Sequence, residues 1–304
     1  MVRFMIHTPV NMRGRMTDYV KDNLPALEEK IGDKISLYTP HDPEYASDCS
    51  EEWLAPSIEK GIVPDVIVTH ATEFAALESR SEVGLFSELS SRYLKENPVR
   101  EELSMLIDPQ GIFYPISVTP LVMIYNMEKI KDHELKHSWA DLFNEKYKVI
   151  FPDRDKPLCR AAGAFLKANF PEQFPAFERK VVYEGSPANV VKAVASGEYD
   201  MAMTNSSFAA MAQGRKIAIN SPKEGYILLP QVLVWKKGTD EKLTALADLL
   251  ICEEMQRYLS EQGAWPARKD IPMCDTIAYN QQLTNWQGWD AYIKAVSKFD
   301  KFSV

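Results

Sequence analysis

Residues 111–126, GIFYPISVTPLVMIYN, constrain the fold more than any other segment. They have the apolar, β-branched character of a strand, yet they contain Pro115 and Pro120. A proline removes a ladder hydrogen bond and therefore sits poorly inside a central strand. Two prolines so close together predict a strand that leaves one sheet and enters another. A crossing of this kind in mid-sequence favours two lobes joined by a hinge, which can close on a ligand.

A second segment, residues 226–235 (YILLPQVLVW), repeats the pattern of an apolar strand interrupted by one proline. We interpret it as the return of the chain to the first lobe. The two crossings predict one lobe from residues 1–115 plus 226–270 and another from residues 116–225 plus 271–304. Strands alternate with helices along both parts, which is typical of parallel βαβ units. The predicted fold class is α/β, with two Rossmann-like lobes joined by a two-strand hinge.

Apolar periodicity also predicts three helices that matter for the fold. The first covers residues 16–30 and follows a loop at residues 11–14. A strongly amphipathic helix covers residues 241–262. An aromatic-rich helix covers residues 276–302, and we expect it to pack on the second lobe.

Composition excludes several classes of function. The 304 residues carry a net charge of −8 and a pI of about 5.3, and a nucleic-acid-binding surface would be basic. The four cysteines show no CxxC spacing, which argues against structural zinc. No apolar run reaches the roughly 18 residues of a transmembrane helix. The start MVRFMIH lacks the regions of a signal peptide, which predicts a cytoplasmic protein if Met1 is the native start.

Three predicted strands of the first lobe each run into a histidine: His7, His41 and His70. In a parallel sheet these residues lie near the edge where ligands bind. Neutral imidazole is the commonest metal ligand, and three of them suit a divalent transition metal. The alternative is that each histidine hydrogen-bonds a backbone group at its strand end. His70, followed by Thr72, is the best single candidate for contact with a ligand.

The second lobe offers two polar loops that precede helices. Ser186 is a natural N-cap, and Asn189 lies in the first turn that follows. The free backbone N–H groups of such a helix start can bind an anion, although a plain capped helix explains the same residues. The same two interpretations apply to three small polar residues after another predicted strand: Asn205, Ser206 and Ser207.

Four further residues are candidates for ligand contact. Arg154 could clamp a carboxylate or oxyanion, or belong to a solvated charge cluster. Asn11 and Arg13 are predicted in the loop after the first strand. Tyr114 lies at the first crossing, where it would form the floor of a cleft or pack within the hinge. No GxSxG, HExxH, Walker A or GxGxxG motif is present, so no enzyme is predicted.

The order of elements resembles the type II solute-binding proteins of ABC transporters, in particular the ferric- and polyamine/maltodextrin-type branches. The resemblance implies a type II periplasmic-binding-protein fold that captures its solute in the interlobe cleft by hinge closure. It also implies delivery to an ABC permease and a periplasmic or extracellular, membrane-associated location. We expect a monomer. Four segments carry the resemblance: residues 114–130 (YPISVTPLVMIYNMEKI), 138–153 (SWADLFNEKYKVIFPD), 184–207 (EGSPANVVKAVASGEYDMAMTNSS) and 229–238 (LPQVLVWKKG).

One departure from the pattern of that family narrows the range of predicted ligands. Its ferric-ion binders carry a tyrosine pair after the strand that here ends at Thr204, and Ser207 and Phe208 occupy those positions. Fe(III) held by tyrosinates is therefore not predicted. The predicted ligand is a small polar or anionic solute or a metal complex. No cofactor is predicted other than a bound metal ion or oxyanion. The alternatives on the same fold are a cytoplasmic sensor or metallochaperone, and a cofactor-biosynthesis enzyme.

Overall fold

The structure is a computed structural model, and it describes most of the chain. The described residues are 1–45, 52–77, 84–212, 216–273 and 286–300. The chain divides into two compact units, each built from separate stretches of sequence. The first unit comprises Met1–Val118 and Pro230–Cys274, and the second comprises Thr119–Leu229 and Asp275–Val304.

The strands in the described ranges are short, apart from two long ones. They are β1 (Val2–Ile6), β2 (Ile35–Tyr38), β3 (Val66–His70), β4 (Tyr114–Asn126), β5 (Val149–Phe151), β6 (Val182–Tyr183), β7 (Met201–Asn205), β8 (Ile217–Asn220), β9 (Ile227–Trp235) and β10 (Trp265–Pro266).

The α-helices alternate with these strands along most of the chain. They are α1 (Val10–Ile31), α2 (Leu54–Glu59), α3 (Leu89–Glu96), α4 (Pro157–Asn169), α5 (Phe174–Lys180), α6 (Pro187–Ser196), α7 (Ser206–Met211), α8 (Ala245–Ile251), α9 (Glu253–Glu261) and α10 (Trp289–Asp300). No helix in the described part of the chain is long and apolar enough to cross a membrane.

The first unit is built on a sheet with parallel strands at its centre. Strand β1 pairs in parallel with β2 and with β3, and β9 runs antiparallel to β3. Strand β3 is buried along its whole length, as expected for a strand covered on both faces. Helix α1 buries residues at helical spacing, including Met16 and Val20, in a core shared with Trp235 and Leu246. The carboxyl ends of β1 and β3 therefore meet at one edge.

In the second unit, β7 lies between an antiparallel neighbour and a parallel neighbour in the sheet. Strand β7 pairs antiparallel with β4 and parallel with β5, which pairs in parallel with β6. Helix α10 packs against α4, and Gly163 makes this approach possible. A Cβ atom at Gly163 would lie 2.3 Å from the ring of Phe299. At the same contact the buried Arg160 binds the carboxylate of Asp300 through Nε and Nη2, at 3.1 and 2.8 Å.

The prolines do not interrupt the two long strands. All thirteen residues of β4 are buried, and the boundary between the units falls inside it, between Val118 and Thr119. Strand β9 also continues through Pro230, where the second boundary falls. The predicted interruptions are therefore wrong. The pairing of β4 with β10 uses Ser117 and Val118, and its pairing with β7 begins at Leu121, so these registers need no N–H from either proline of β4.

Three helix predictions need correction. Residues 11–14 are not a loop, because α1 begins at Val10, directly after an extended Pro9. The single helix predicted over residues 241–262 is broken at Cys252, whose extended backbone (φ −61°, ψ 158°) and Sγ cap α9. Within the predicted helix at residues 276–302, α10 begins only at Trp289, residues 286–288 are not helical, and residues 276–285 and 301–302 lie outside the described residues.

Candidate functional site

Five buried residues of the first unit lie around two imidazole rings in contact, and we call them the first polar cluster: His7, Trp53, Thr69, His70 and Gln231. His7 directly follows β1, and His70 ends β3, so the parallel pairing of these strands places both histidines at one edge. The register of β3 with β9 sets Gln231 opposite His70. The two imidazole rings lie 5.4 Å apart between centroids and are nearly perpendicular, at 86°.

The Nδ1 atoms of both histidines are engaged by neighbouring side chains. Trp53 donates its indole N–H to His7 Nδ1 at 3.1 Å, and the Thr69 hydroxyl lies 3.4 Å from the same atom. The side-chain amide of Gln231 lies 2.7 Å from His70 Nδ1. With His7 at 2 % and His70 at 5 % exposure, these contacts replace the water that would otherwise solvate the imidazoles.

The third predicted histidine does not join them. His41 is exposed, and its Nε2 lies 3.1 Å from Arg13 Nη1. Among the described residues, no group of three or more His, Cys, Asp or Glu side chains is arranged to hold a metal ion. The structure therefore contradicts the predicted metal site of His7, His41 and His70. Its sequence alternative, histidines that form hydrogen bonds at strand ends, fits better, although the partners of His7 and His70 are side chains.

Several polar residues close in sequence to His7 and His70 are buried or half-buried. Thr72 and Glu73 follow His70 in a 3-10 helix, Ala71–Ala76, and Glu73 is only 1 % exposed. Asn11 and Arg13 lie in the first turn of α1, where Arg13 Nε donates to the Thr8 carbonyl at 3.1 Å. The Asn11 amide atoms and the Thr8 hydroxyl are buried without a hydrogen-bond partner in the described part of the chain.

The second unit has its own group of buried polar residues, which we call the second polar cluster: Thr119, Thr204, Asn205, Ser206 and Ser207. The register of β4 with β7 pairs Leu121 with Asn205, and the chain turns directly into α7. Asn205 caps this helix by accepting a hydrogen bond from the Phe208 N–H at 3.0 Å. Within the described ranges, three hydroxyl oxygens of the cluster are buried and lack a hydrogen-bond partner: Thr119 Oγ1, Thr204 Oγ1 and Ser207 Oγ.

The buried hydroxyls of Thr119, Thr204 and Ser207 are each a candidate for contact with a ligand, because they lack a partner in the described chain. A buried hydroxyl that has lost water without gaining a partner destabilises the folded protein by roughly 1–3 kcal/mol. A solute that offers hydrogen-bond donors or acceptors would remove this penalty. Neutral hydroxyls suit carboxylates, phosphates and sugar-like groups, because each can both donate and accept.

Ser186 and Asn189 form a capped helix start, as one of the two sequence interpretations predicted. The Ser186 hydroxyl accepts from the Asn189 N–H at 3.3 Å and is also in contact with Asn189 Oδ1. Asn189 is exposed. These contacts account for the two side chains without a ligand.

Arg154 and Tyr114 make contacts inside their own units. The Arg154 guanidinium pairs with Glu178 and lies over the rings of Tyr183 and Phe299, at 5.3 and 4.9 Å from their centroids. Tyr114 is buried in the core of the first unit, which raises the pKa of its phenol, and its hydroxyl donates to the Asn97 carbonyl at 3.0 Å. These contacts support the structural interpretation of both residues over ligand binding.

Sequence reasoning missed Trp53, Thr69, Thr119, Thr204 and Gln231. A usable signal existed for Gln231, which is an isolated polar residue in an otherwise apolar strand. A buried strand rarely keeps such a residue without a hydrogen-bonding purpose. For Trp53 there was no signal, because its indole reaches His7 only through the tertiary fold.

Comparisons with known proteins identify the class to which this geometry belongs. The family described as bacterial extracellular solute-binding protein matches residues 61–295. The chain belongs to this family, whose members bind small solutes and typically work with an ABC permease. The predicted family and solute-binding role are therefore confirmed, and the family match does not favour a cytoplasmic sensor or a biosynthetic enzyme. No curated protein gave a significant match.

Solved structures of low sequence identity share the fold over nearly the whole chain. The apo ferric ion-binding protein A of Pasteurella haemolytica is 15% identical, with a TM-score of 0.73 over 100% of this chain and 99% of that one. The ferric binding protein of Campylobacter jejuni is 16% identical, with a TM-score of 0.71 over 99% and 98%. A Trichodesmium protein in complex with iron and citrate is 17% identical, with a TM-score of 0.68 over 99% and 96%. The predicted α/β fold of the periplasmic-binding-protein type is confirmed.

Proposed function

We propose that the solute is a small anionic molecule, or a metal complex with an anionic organic ligand, and that hydrogen bonds from neutral side chains hold it. The observation that carries this proposal is the set of buried hydroxyls in the second polar cluster that lack partners in the described chain. Their donors match the oxygens of a carboxylate or phosphate.

Iron remains a relevant cargo, but in complexed form. The similar structures from Pasteurella and Campylobacter are ferric binding proteins, and the Trichodesmium structure holds iron together with citrate. The resemblance to ferric-ion binders sets Ser207 and Phe208 at the positions of their tyrosine pair, and Fe(III) prefers hard anionic ligands, which neither side chain supplies. An iron complex whose organic ligand occupies most of the coordination sphere would need only hydrogen bonds from the protein.

We further propose that the protein acts as a monomer without enzymatic activity, in the periplasm or at the outer face of the cell membrane. There it would hand its solute to an ABC permease. The family match supports this location, since the family is extracellular. Closure of a hinge on the solute stays a prediction, and small-angle X-ray scattering would test it as a decrease in the radius of gyration when solute is added.

Isothermal titration calorimetry with four probes tests the solute class: ferric citrate, citrate alone, phosphate, and ferric ion supplied from a weak chelator. We expect a carboxylate-bearing probe to bind best. Ser207→Ala should weaken that binding by about 2- to 10-fold, the value of one hydrogen bond. Ser196→Ala is the matched control, because this exposed serine donates to the Ala193 carbonyl and accepts from the Glu198 N–H, both of them close to it in sequence.

Two results would overturn the proposal. One is ferric ion binding tightly with no dependence on citrate. The other is a best probe whose affinity is the same in the wild type and in Ser207→Ala.

A further inference from the structure

We propose that Asp132 and His137, on the surface of the second unit, bind a divalent transition metal ion such as Zn²⁺ or Cu²⁺, with water completing its coordination. The ligand atoms are Asp132 Oδ2 and His137 Nε2, which lie 3.7 Å apart. A site with two protein ligands differs from one built by three or more His, Cys, Asp or Glu side chains, which the described residues do not form. It is independent of the solute proposed above.

The backbone of His137 is held in a conformation that histidine seldom adopts. Its φ angle is 49°, in the left-handed region that is strained for a residue with a Cβ atom. The Lys223 N–H donates to the His137 carbonyl at 2.7 Å and holds this conformation. Backbone strain of this kind is concentrated at functional sites, and it therefore singles out His137 as a candidate for binding.

The hydrogen bonds around His137 leave the lone pair of its imidazole on Nε2. His137 Nδ1 lies 2.9 Å from Asn220 Oδ1, and the Asn220 amide is fixed on its other side, where Nδ2 donates to Asp141 Oδ2 at 3.3 Å. The reversed amide would turn its carbonyl toward a carboxylate that already accepts from the backbone N–H groups of Lys136 and Ser138. Because a carboxylate and a carbonyl both only accept, that arrangement is repulsive. His137 Nδ1 therefore donates, and the neutral ring keeps its lone pair on Nε2.

This is the arrangement of a metal-binding histidine, which almost always donates its second ring N–H to a carboxylate, carbonyl or water. Asp132 is oriented as well, because Tyr125 donates its hydroxyl to Asp132 Oδ1 at 2.9 Å and Oδ2 then lies toward the imidazole. Both supporting residues, Tyr125 in β4 and Asn220 in β8, are buried. The ligand side chains themselves are 71 % exposed for Asp132 and 48 % exposed for His137, so a hydrated metal ion can approach them.

The separation of the two ligand atoms suits a metal ion between them. Zinc lies about 2.0–2.1 Å from an imidazole nitrogen and about 2.0–2.2 Å from a carboxylate oxygen, so two such ligands at a tetrahedral angle are about 3.4 Å apart. The observed 3.7 Å exceeds this by about 0.3 Å, which a small rotation of the exposed Asp132 side chain can supply. One imidazole and one carboxylate suit Zn²⁺ and Cu²⁺, whereas Mg²⁺ prefers oxygen ligands alone.

Isothermal titration calorimetry with Zn²⁺ on the full chain, produced without a polyhistidine tag, tests the site. His137→Asn removes the imidazole, and asparagine tolerates the left-handed backbone better than most residues. We expect this variant to lose Zn²⁺ affinity by at least about 10- to 100-fold, the usual effect of losing even an outer partner of a metal ligand. Asp132→Asn should also bind more weakly, because it removes the anionic oxygen. His133→Asn is the matched control: His133 is also exposed and lies in the same 3-10 helix as Asp132, and its loss should leave the affinity unchanged.

Nitrogen NMR of the histidine rings in the uniformly ¹⁵N-labelled full chain gives a second measurement that does not depend on affinity. The His137→Asn and His133→Asn variants assign the signals of the two rings. Without metal, we expect His137 to show a protonated Nδ1 and an unprotonated Nε2. Added Zn²⁺ should shift the Nε2 signal of His137 and leave the ring of His133 unaffected.

Three results would overturn the inference: no binding of Zn²⁺ by the wild type, the same Zn²⁺ affinity in the wild type and in His137→Asn, or an equal loss in His133→Asn. An unchanged far-UV circular dichroism spectrum of each variant would show that a loss of affinity is not a loss of folding. None of these results bears on the solute, since the proposed function is tested with other probes and with a substitution at Ser207.

Discussion

The two polar clusters satisfy their buried groups in different ways. In the first cluster the protein supplies the partners itself: an indole and an amide hold two imidazoles in place. In the second cluster three hydroxyl oxygens are buried without partners in the described ranges. The first cluster is therefore preorganised, whereas the second carries a desolvation penalty that a bound solute could relieve.

This difference separates the effects of mutation on stability from the effects on binding. Substitutions of Trp53 or Gln231 in the first cluster remove a hydrogen-bond donor from a buried imidazole and should destabilise the free protein. Substitutions that remove the three unpartnered hydroxyls of the second cluster take away no hydrogen bond of the free protein, so their effect on affinity should appear when solute binds.

The largest effect is expected for Trp53→Ala. Trp53 is fully buried and packs edge-on against Tyr45, with ring centroids 6.0 Å apart. Removing a buried aromatic side chain destabilises a protein by about 3–5 kcal/mol, and this change also takes the donor away from His7. Urea unfolding followed by far-UV circular dichroism would measure the loss. Trp53→Phe, which keeps most of the ring, should lose clearly less, and equal losses would mean that packing does not hold the cluster.

A smaller effect is expected for Gln231→Leu. The leucine preserves volume in β9 but no longer donates to His70 Nδ1, and an abandoned buried acceptor costs about 1–3 kcal/mol. The same urea titration applies, with the exposed Gln110→Leu as the control. A Gln231→Leu variant as stable as the wild type would show that the hydrogen bond from the Gln231 amide to His70 does not stabilise the protein. The two clusters would then no longer differ in their contribution to stability.

The two clusters also differ in how much of them the sequence predicted. Histidines at the ends of β1 and β3 were found because parallel strands place their carboxyl ends at one edge, a local rule that holds here. Their chemistry was mistaken for metal binding, since the donors from Trp53 and Gln231 come from distant parts of the chain. In the second cluster Asn205, Ser206 and Ser207 were found from a strand-to-helix turn, which is local in sequence.

For the fold, too, features set by neighbouring residues were predicted, and features set by distant residues were missed. The α/β class was readable from the alternation of strands and helices. The course of β4 through its prolines was not, because whether a proline is tolerated depends on the register of the neighbouring strands. The start of α1 was missed because Asn11, Arg13 and Gly14 resemble a loop in composition, while the packing of Met12 and Met16 in the core decides for a helix.

Asn205→Ala should have an effect of about 1 kcal/mol on stability, because it removes a helix cap from α7. Asn205 differs from the three unpartnered hydroxyls of the second cluster, because its side chain already accepts a hydrogen bond in the free protein. Urea unfolding of the alanine variant and the wild type would measure the loss. Asn205→Ser retains an oxygen that can accept from the Phe208 N–H and should recover most of the loss. If the alanine variant were as stable as the wild type, the hydrogen bond from the Phe208 N–H would not stabilise the helix. Asn205 would then resemble the three unpartnered hydroxyls, which contribute no hydrogen bond to the free protein.

The smallest change, and the only expected gain, is Thr204→Val. Valine has nearly the shape of threonine, and it replaces a fully buried hydroxyl that lacks a partner in the described chain by a methyl group. The free energy of unfolding should rise by up to about 1 kcal/mol, since the penalty of the unpaired oxygen disappears. Affinity for the best carboxylate probe should fall at the same time, by about 2- to 10-fold if the hydroxyl contacts the solute. Urea unfolding and calorimetry on one preparation would measure both quantities. A loss of stability would show that the Thr204 hydroxyl already has a partner, and the second cluster would then resemble the first.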